Sequence, residues 1–272
     1  MADVSGQGWS APYRAVIGSR IRAQRAYPTS FLLDLGGSLL VGVTEFAEVW
    51  VIFHNISVLG GLNFDAVLLL FGLSNLTFSA ADLVVGHIDN LPTFVRMGTL
   101  DAFYLRPQPV LAQLMTCELS LRRLARIGVA LVALVAGLTH NDIAWDPGIA
   151  AMLVVAVIGG TAIFAGLFVC AASLQFFLVN GAELTNSFTY GGSYASSQPT
   201  SIFPTPLKML FGYLVPVTFT GYLPTLWILR LPGPAGLPTW LGWFTPLAAL
   251  WVWALALTLW HWGSRHYQGG GG

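Results

Sequence analysis

The stretch that decides the fold class runs from Ile149 to Leu178 and reads IAAMLVVAVIGGTAIFAGLFVCAASLQFFL. It contains no Asp, Glu, Lys or Arg. A helix that crosses the hydrocarbon core of a bilayer, about 30 Å thick, needs about 20 apolar residues. The stretch therefore predicts a membrane-spanning helix. Its 30 residues exceed the required length by about ten, so the helix must tilt, project beyond the bilayer or break, with Gly159-Gly160 as a weak point.

The composition of the whole chain points the same way. Of its 272 residues, 9% are charged and 55% are hydrophobic. An average soluble domain is about 25% charged, because charged side chains coat its surface. The composition therefore excludes a soluble enzyme, a disordered chain and a protein that binds nucleic acid. It predicts an all-α integral membrane protein.

The same length criterion finds six candidate spans. They are predicted at about 31–54, 65–86, 117–138, 149–178, 207–229 and 240–262. We expect residues 1–30 to form a cytoplasmic N-terminal segment, 31–262 the transmembrane domain and 263–272 a cytoplasmic tail. Segment 180–206 is rich in Ser, Thr, Tyr and Gly, and is predicted to be a linker on the inner side rather than a seventh span.

The basic residues predict the orientation, since cytoplasmic loops carry an excess of Lys and Arg. With the N-terminus inside, only Arg230 falls outside. The residues on the inner side are then Arg14, Arg20, Arg22, Arg25, Arg96, Arg106, Arg122, Arg123, Arg126, Lys208 and Arg265. Both termini are therefore predicted to be cytoplasmic.

The segment before the first span, residues 11–26, has the pattern of an amphipathic helix. Val16, Ile17 and Ile21 are apolar, and the arginines among them suit lipid head groups. The alternative is a solvated basic tail.

The chain lacks the motifs of common active sites. A nucleotide-binding loop needs a Lys in G-x-x-x-x-G-K-[ST], and Lys208 follows Pro206-Leu207 instead. There is no H-E-x-x-H or G-x-S-x-G motif, and Cys117 and Cys170 show no metal-ligand spacing. We expect no catalytic residue, metal or cofactor on this chain. An ATP-driven role would need an ATPase on another polypeptide.

The predicted inner loop between the second and third spans contains one short helical pattern. Residues 98–107 read GTLDAFYLRP, with a Gly-Thr cap and a terminal proline. On such a helix Leu100, Phe103, Tyr104 and Pro107 share an apolar face. This face must be buried against either the membrane surface or a partner protein.

Three stretches resemble the ABC-2 family of ABC transporter permeases, in particular its short six-span bacterial members. The first is Arg96–Pro107, which is similar to a family element G-x-L-D-x-x-L-x-R-P, with Tyr104-Leu105 where hydrophobic pairs are commoner. The others are Ser201–Pro204 with Tyr213–Phe219 and Tyr222–Pro224, and the C-terminal Ser264–Gly269. Together they extend from Arg96 to Gly269, a range that takes up most of the chain.

The resemblance implies a complex in a bacterial cytoplasmic membrane. Two permease subunits, identical or homologous, would form the path, and two ATPase subunits that bind ATP and Mg would dock below on the N-terminal helix and the inner loop. It implies ATPase coupling for Arg96, Gly98, Leu100, Asp101, Phe103, Leu105, Arg106 and Pro107. The alternative for these residues is a capped surface helix that lies on lipid.

Several charged residues fall inside or near the predicted spans, where a charge is costly unless it faces protein or water. They are Glu45, Glu48, Asp82, Glu118, Arg122 and Arg126. One hypothesis is that the span-three arginines pair with acids on neighbouring spans. The other is that Glu45 and Glu48, three residues apart and on one helix face, line the substrate path or bind a cationic group.

Two prolines in the predicted fifth span, Pro216 and Pro224, each remove a backbone hydrogen bond and favour a kink. Simple tolerance of proline in membrane helices is the alternative. A kinked helix would suit a re-entrant outer hairpin at 230–240, which the resemblance also implies.

The sequence therefore predicts a permease subunit of an ATP-driven exporter that works by alternating access. The resemblance implies a hydrophobic or amphipathic substrate such as a drug, antibiotic, lipid or glycolipid. The alternatives are a proton-coupled secondary transporter that uses intramembrane carboxylates and a non-transporting membrane scaffold.

Overall fold

The computed structural model describes residues 18–19, 22, 28–117, 121–178, 182–233 and 238–267. Most of the predicted amphipathic helix at 11–26 and the Gly-rich end of the chain lie outside these ranges. The α-helices are α1 (Pro28–Asn55), α2 (Phe64–Val85), α3 (Leu91–Arg96), α4 (Asp101–Tyr104), α5 (Val110–Thr116), α6 (Leu124–His140), α7 (Pro147–Leu174), α8 (Ala182–Ser196), α9 (Thr205–Met209), α10 (Tyr222–Ile228) and α11 (Thr245–His266).

Four helical segments in the described residues are long and apolar enough to cross a membrane, and there are five if one bent pair counts as a single span. The four are Pro28–Asn55, Phe64–Arg96, Pro147–Leu174 and Thr239–His266. They lie over four of the predicted spans. The predicted third span is shorter than expected, because its helix α6 begins only at Leu124, after a 3₁₀ turn at Leu121–Arg123.

Helix α2 forms the centre of the bundle. Of its 22 residues 17 are buried, whereas only two of the 28 residues of α1 are. Gly72 and Gly137 allow α2 and α6 to touch, since a Cβ on Gly72 would overlap the backbone nitrogen of Leu134 and one on Gly137 would lie 2.5 Å from Leu69 Cα. Small residues that let helix backbones approach are the usual device of membrane bundles.

The bundle has two ends, which we name by their loops. The upper end holds loops 56–63 and 141–146, joined where the Asn141 side-chain amide donates to the Asp65 carbonyl at 2.7 Å. The lower end holds segment 86–107 and the C-terminal ends of α7 and α11. Helix α7 runs without a break between them, so Gly159-Gly160 does not interrupt it.

Segment 180–206 was predicted to be a linker on the inner side, but most of it forms helix α8. Segment 182–203 passes from the lower end of the bundle to the upper end. At the lower end Gln175 donates to the Thr185 hydroxyl at 2.9 Å. Halfway along α2, the Ser74 hydroxyl donates to the Ser196 carbonyl at 2.8 Å. At the upper end, the Ser201 hydroxyl donates to the Gly60 carbonyl at 2.7 Å.

The segment predicted as the fifth span, 207–229, is not one continuous helix. It is a pair of helical pieces bent by 69°. The chain leaves the upper end after Ser201, reaches the middle of the bundle where Gly221 packs on Ser74, and returns to the upper end, where Arg230 Nη2 lies 3.2 Å from Asp146 Oδ2. Both ends of the segment are thus at the same end of the bundle.

The two prolines of this segment behave differently. Pro216 lies at the bend, between a π-helical turn at Leu210–Leu214 and a 3₁₀ turn at Val217–Phe219. Pro224 lies in the first turn of α10, where a backbone N–H has no intrahelical acceptor to lose. The structure therefore bends at Pro216, and α10 continues through Pro224 without a kink.

Candidate functional site

The lower loop, which we define as residues 86–107, folds more compactly than the sequence predicts. Instead of two helical turns over 98–107, it has a turn at 97–100 followed by the single-turn helix α4. Gly98 has φ +66°, a left-handed conformation that side chains with a Cβ disfavour. The turn therefore ends the helical conformation of α3, and the residues after Gly98 point in a new direction.

The reorientation divides the predicted apolar face. Leu100 is fully buried in the core of the chain. Phe103 is half-buried, with its ring 5.6 Å from the ring of Phe94 in an edge-on contact. Leu105 is 87% exposed and Met97 is 68% exposed. The exposed apolar surface of the lower loop is therefore centred on Leu105 and Met97, not on Leu100.

The remaining residues of the predicted coupling element hold the loop or face outward. Arg96 donates from Nε to the Pro92 carbonyl at 3.3 Å. The guanidinium of Arg106 lies 5.7 Å from the ring centroid of Phe103. Pro107 is exposed. A residue that the sequence did not single out, Gln113, is buried and donates to the carbonyls of Phe103 (3.0 Å) and Gln108 (2.7 Å), which fixes the end of the loop.

The end of α11 is attached to the same loop. The rings of Tyr267 and Tyr104 are stacked with centroids 6.0 Å apart and planes at 5°, and the Tyr267 hydroxyl donates to Asp101 Oδ1 at 2.9 Å. Burial, and then the bond to Asp101, raises the pKa of Tyr267 to about 12. The phenol therefore stays neutral and remains a donor at physiological pH.

Two arginines near the start of α6 pair with acids on neighbouring helices. Arg126 Nη2 lies 2.7 Å from Glu45 Oε1 on α1, and Arg123 Nε lies 3.0 Å from Asp82 Oδ2 on α2. These pairs join α6 to both helices. Glu118 lies outside the described residues, as does the side chain of Arg122.

A polar cavity of about 200 Å³ lies beside the pair of Arg126 and Glu45. Residues of α1, α2, α6 and α8 line it, with the start of the turn after α8; they include Glu45, Glu48, Arg126, Tyr190, Tyr194 and Gln198. The Tyr194 hydroxyl donates to Glu48 Oε1, and the Tyr190 hydroxyl donates to Asp89 Oδ2 at 3.2 Å. Helix α8 thus contacts α1 above and the lower loop below through its tyrosines.

The outward face of α8 carries polar groups at helical spacing, beside the exposed ring of Phe188. Glu183, Ser187, Tyr190 and Tyr194 are exposed at helical spacing, and Glu48 of α1 is exposed beside them. We call these five residues the polar stripe. Exposed polar side chains of this kind are unfavourable against lipid tails.

Within the described ranges, no three His, Cys, Asp or Glu side chains lie close enough together to hold a metal ion. Cys117 and Cys170 are not joined by a disulfide. The described residues bring together ion pairs, hydroxyl groups and aromatic rings.

Comparison with known families decides the identity. The model of the family described as ABC-2 family transporter protein matches residues 39–271, which is most of the chain. The chain belongs to the ABC-2 transporter family. An ABC-2 protein of this kind is the membrane permease of an ABC transporter, and the ATPase is a separate subunit with which such permeases normally work. No curated protein and no solved structure matches this chain.

Proposed function

We propose that this ABC-2 protein is the permease subunit of an ATP-driven exporter of hydrophobic or amphipathic compounds in a bacterial cytoplasmic membrane. The observation that carries the proposal is the polar stripe on α8 and α1. A surface that lipid solvates poorly, on a multi-pass permease, needs water or protein against it. A second permease subunit, identical or homologous, would supply that cover, and the stripes of the two subunits would face a path between them.

The contacts of α8 support a revised set of six crossings for this permease. They are α1, α2, α6, α7, segment 182–203 and α11, with 205–233 entering from the upper side and returning to it. Lys208 and Arg230 then lie on the upper side, and the other ten of the twelve basic residues lie on the lower side or at its boundary. The excess of basic residues makes the lower side cytoplasmic, with both termini there.

The lower loop is the proposed contact for the two ATPase subunits, which would bind ATP and Mg. Its exposed apolar residues Met97 and Leu105 suit a protein partner, and Arg106 beside them adds a charge. The predicted coupling residues then have two roles: Leu105, Arg106 and Pro107 face the partner, and Leu100 and Phe103 transmit its position to the core. ATP-driven closure of the ATPases would move this loop and reorient the crossings.

Paired charges disfavour Glu45 and Asp82 as proton carriers in the proton-coupled alternative. Glu45 and Asp82 each have an arginine nitrogen within 3.0 Å. A proton delivered to either carboxylate would leave that arginine without its counter-charge, which costs about 2 kcal/mol at the partly exposed Glu45 and more at the buried Asp82.

The test is co-expression of the full chain with a candidate ATPase of the ATP-binding cassette class, followed by purification and assay of vanadate-sensitive ATP hydrolysis. We expect Leu105→Asp to abolish co-purification of the ATPase without changing the melting temperature of the permease. Leu100→Asp is the wrong variant for this purpose, because it places a charge in the core. An ATPase that co-purifies equally with the Leu105→Asp permease would rule out this docking surface.

A further inference from the structure

The polar cavity holds two carboxylates in unlike electrostatic settings. Glu45 is neutralised by Arg126, whose Nη2 lies 2.7 Å away. Glu48 accepts a hydrogen bond from the Tyr194 hydroxyl, and no basic nitrogen of the described residues lies within 4.0 Å of its carboxylate. One cation and two carboxylates leave the cavity with one net negative charge, which is located at Glu48.

The depth of Glu48 makes this charge unusual. It lies seven residues before the end of α1, which places it about 10 Å below the upper end of the bundle. A carboxylate at such a depth is costly unless a counter-charge or water reaches it, and intramembrane acids of this type mark ligand pathways. The chain itself places a counter-charge at Glu45 but not at Glu48.

The other walls of the cavity favour one kind of counter-charge. The aromatic side chains of Tyr190, Tyr194 and Phe71 line the same space as Glu48. Aromatic rings attract cations that have lost part of their water, and organic ammonium groups are the usual ligands of such surfaces. An inorganic cation would instead prefer several oxygen ligands in a closed shell.

We infer that Glu48, with the rings of Tyr190 and Tyr194, binds the positively charged group of an amphipathic organic cation that the transporter carries. This inference rests on the proposed export function and narrows its substrate class. Glu45 and Arg126 form the fixed wall beside the site. In the absence of the cation, the hydrogen bond from the Tyr194 hydroxyl holds the Glu48 carboxylate toward the cavity.

The test uses the full chain in nanodiscs of phosphatidylcholine, a zwitterionic lipid that adds no net charge. The probes are benzyltrimethylammonium, a compact aromatic cation, and benzenesulfonate, an aromatic anion of comparable size, with binding measured by saturation-transfer NMR and calorimetry. We expect the wild type to bind the cation about tenfold more tightly than the anion. Equal binding of the two probes would overturn the inference, and this comparison needs no substitution.

Variants locate the site. Glu48→Gln is expected to weaken binding of benzyltrimethylammonium about tenfold, and Glu48→Asp, which keeps the charge, to retain most of it. Glu183→Gln is the matched control, because Glu183 is an exposed carboxylate at the far end of the same stripe and outside the cavity. Wild-type affinity in Glu48→Gln would refute the assignment. Because no ATPase is present, this result is independent of the co-purification test of the proposed function.

Discussion

The hydroxyl of Tyr267 donates a 2.9 Å hydrogen bond to Asp101 Oδ1, and so joins the residue that follows α11 to the lower loop. The stacked ring of Tyr104 completes the contact. Tyr267→Phe keeps the ring and removes the hydroxyl. We expect it to lower the free energy of unfolding by about 1 kcal/mol, the usual worth of such a bond, and the melting temperature by about 2–4 °C.

The pH dependence of this contact gives a control. The pKa of Tyr267 is raised from its usual value of 10.0 to about 12, so the folded state favours the neutral phenol. The stabilisation is complete below pH 10 and is lost as the pH rises from 10 toward 12. The difference in melting temperature between wild type and Tyr267→Phe should therefore shrink over this range. A difference that stays constant up to about pH 12 would show that the hydroxyl does not act through this bond.

Gly72 is predicted to be intolerant of any side chain. A Cβ there would overlap the backbone nitrogen of Leu134, and backbone cannot move aside as a side-chain tip can. Gly72→Ala should lower the free energy of unfolding by about 3 kcal/mol, at the upper end of the range for overpacking. The variant should therefore lose its monodisperse peak in size-exclusion chromatography at a lower temperature than the wild type.

Gly128 on α6 is the matched control for Gly72, because no atom beyond its chain neighbours and the backbone of its own helix lies within 4 Å of the position of its Cβ. Gly128→Ala should be neutral or stabilise the helix by up to about 1 kcal/mol. If both variants behave alike, the close contact of α2 with α6 is not what Gly72 provides.

The pair of Arg126 and Glu45 is predicted to be strongly coupled. Removal of one partner leaves the other charge poorly solvated, and since Glu45 is about one-third exposed we expect a loss of about 2 kcal/mol for Arg126→Met or Glu45→Leu. The double variant should recover most of this loss, because an apolar pair needs no counter-charge. Additive losses in a double-mutant cycle of melting curves would contradict the coupling.

The revised crossings make a direct prediction about Lys208. With segment 182–203 as the fifth crossing, a cysteine that replaces Lys208 lies on the outer side of the membrane. With 207–229 as the fifth span, the same position lies inside. After replacement of Cys117 and Cys170 by serine, Lys208→Cys in intact cells should react with a membrane-impermeant maleimide. Arg106→Cys should react only after the membrane is opened. Protection of the Lys208→Cys variant in intact cells would contradict the revised crossings and favour the topology predicted from the sequence, with 207–229 as the fifth span.

Hydropathy was sufficient for helices whose lipid-facing sides are apolar, such as α1 and α7. It failed for α8, because hydroxyls such as that of Ser187 bond to carbonyls of the same helix, and the two tyrosines bond to Asp89 and Glu48, which are distant in sequence. It also failed for 207–229, since the apolar character of a segment does not reveal the direction of its chain. The reversal at Pro216 depends on packing of Gly221 against α2.

The sequence predicted only part of the candidate site, for a similar reason. The spacing of the lower loop indicated an amphipathic helix and named Leu100 as a surface residue. The left-handed Gly98 ends that helical register, so Leu100 turns into the core and Leu105 turns outward. The sequence showed that Glu45 and Glu48 share a helix face, but not that Arg126, 81 positions from Glu45, neutralises only the former.

The polarity of α8 also has a consequence for biogenesis. A segment so rich in hydroxyl groups has little tendency to leave the translocation channel for lipid by itself, because each polar residue adds to the free energy of insertion. Its partners on α2 and α7 are synthesised earlier, and the segment 205–233 that follows packs against them from above. If segment 182–203 is the fifth crossing, as proposed above, it is expected to enter the bilayer late, together with its neighbours in an already assembled bundle.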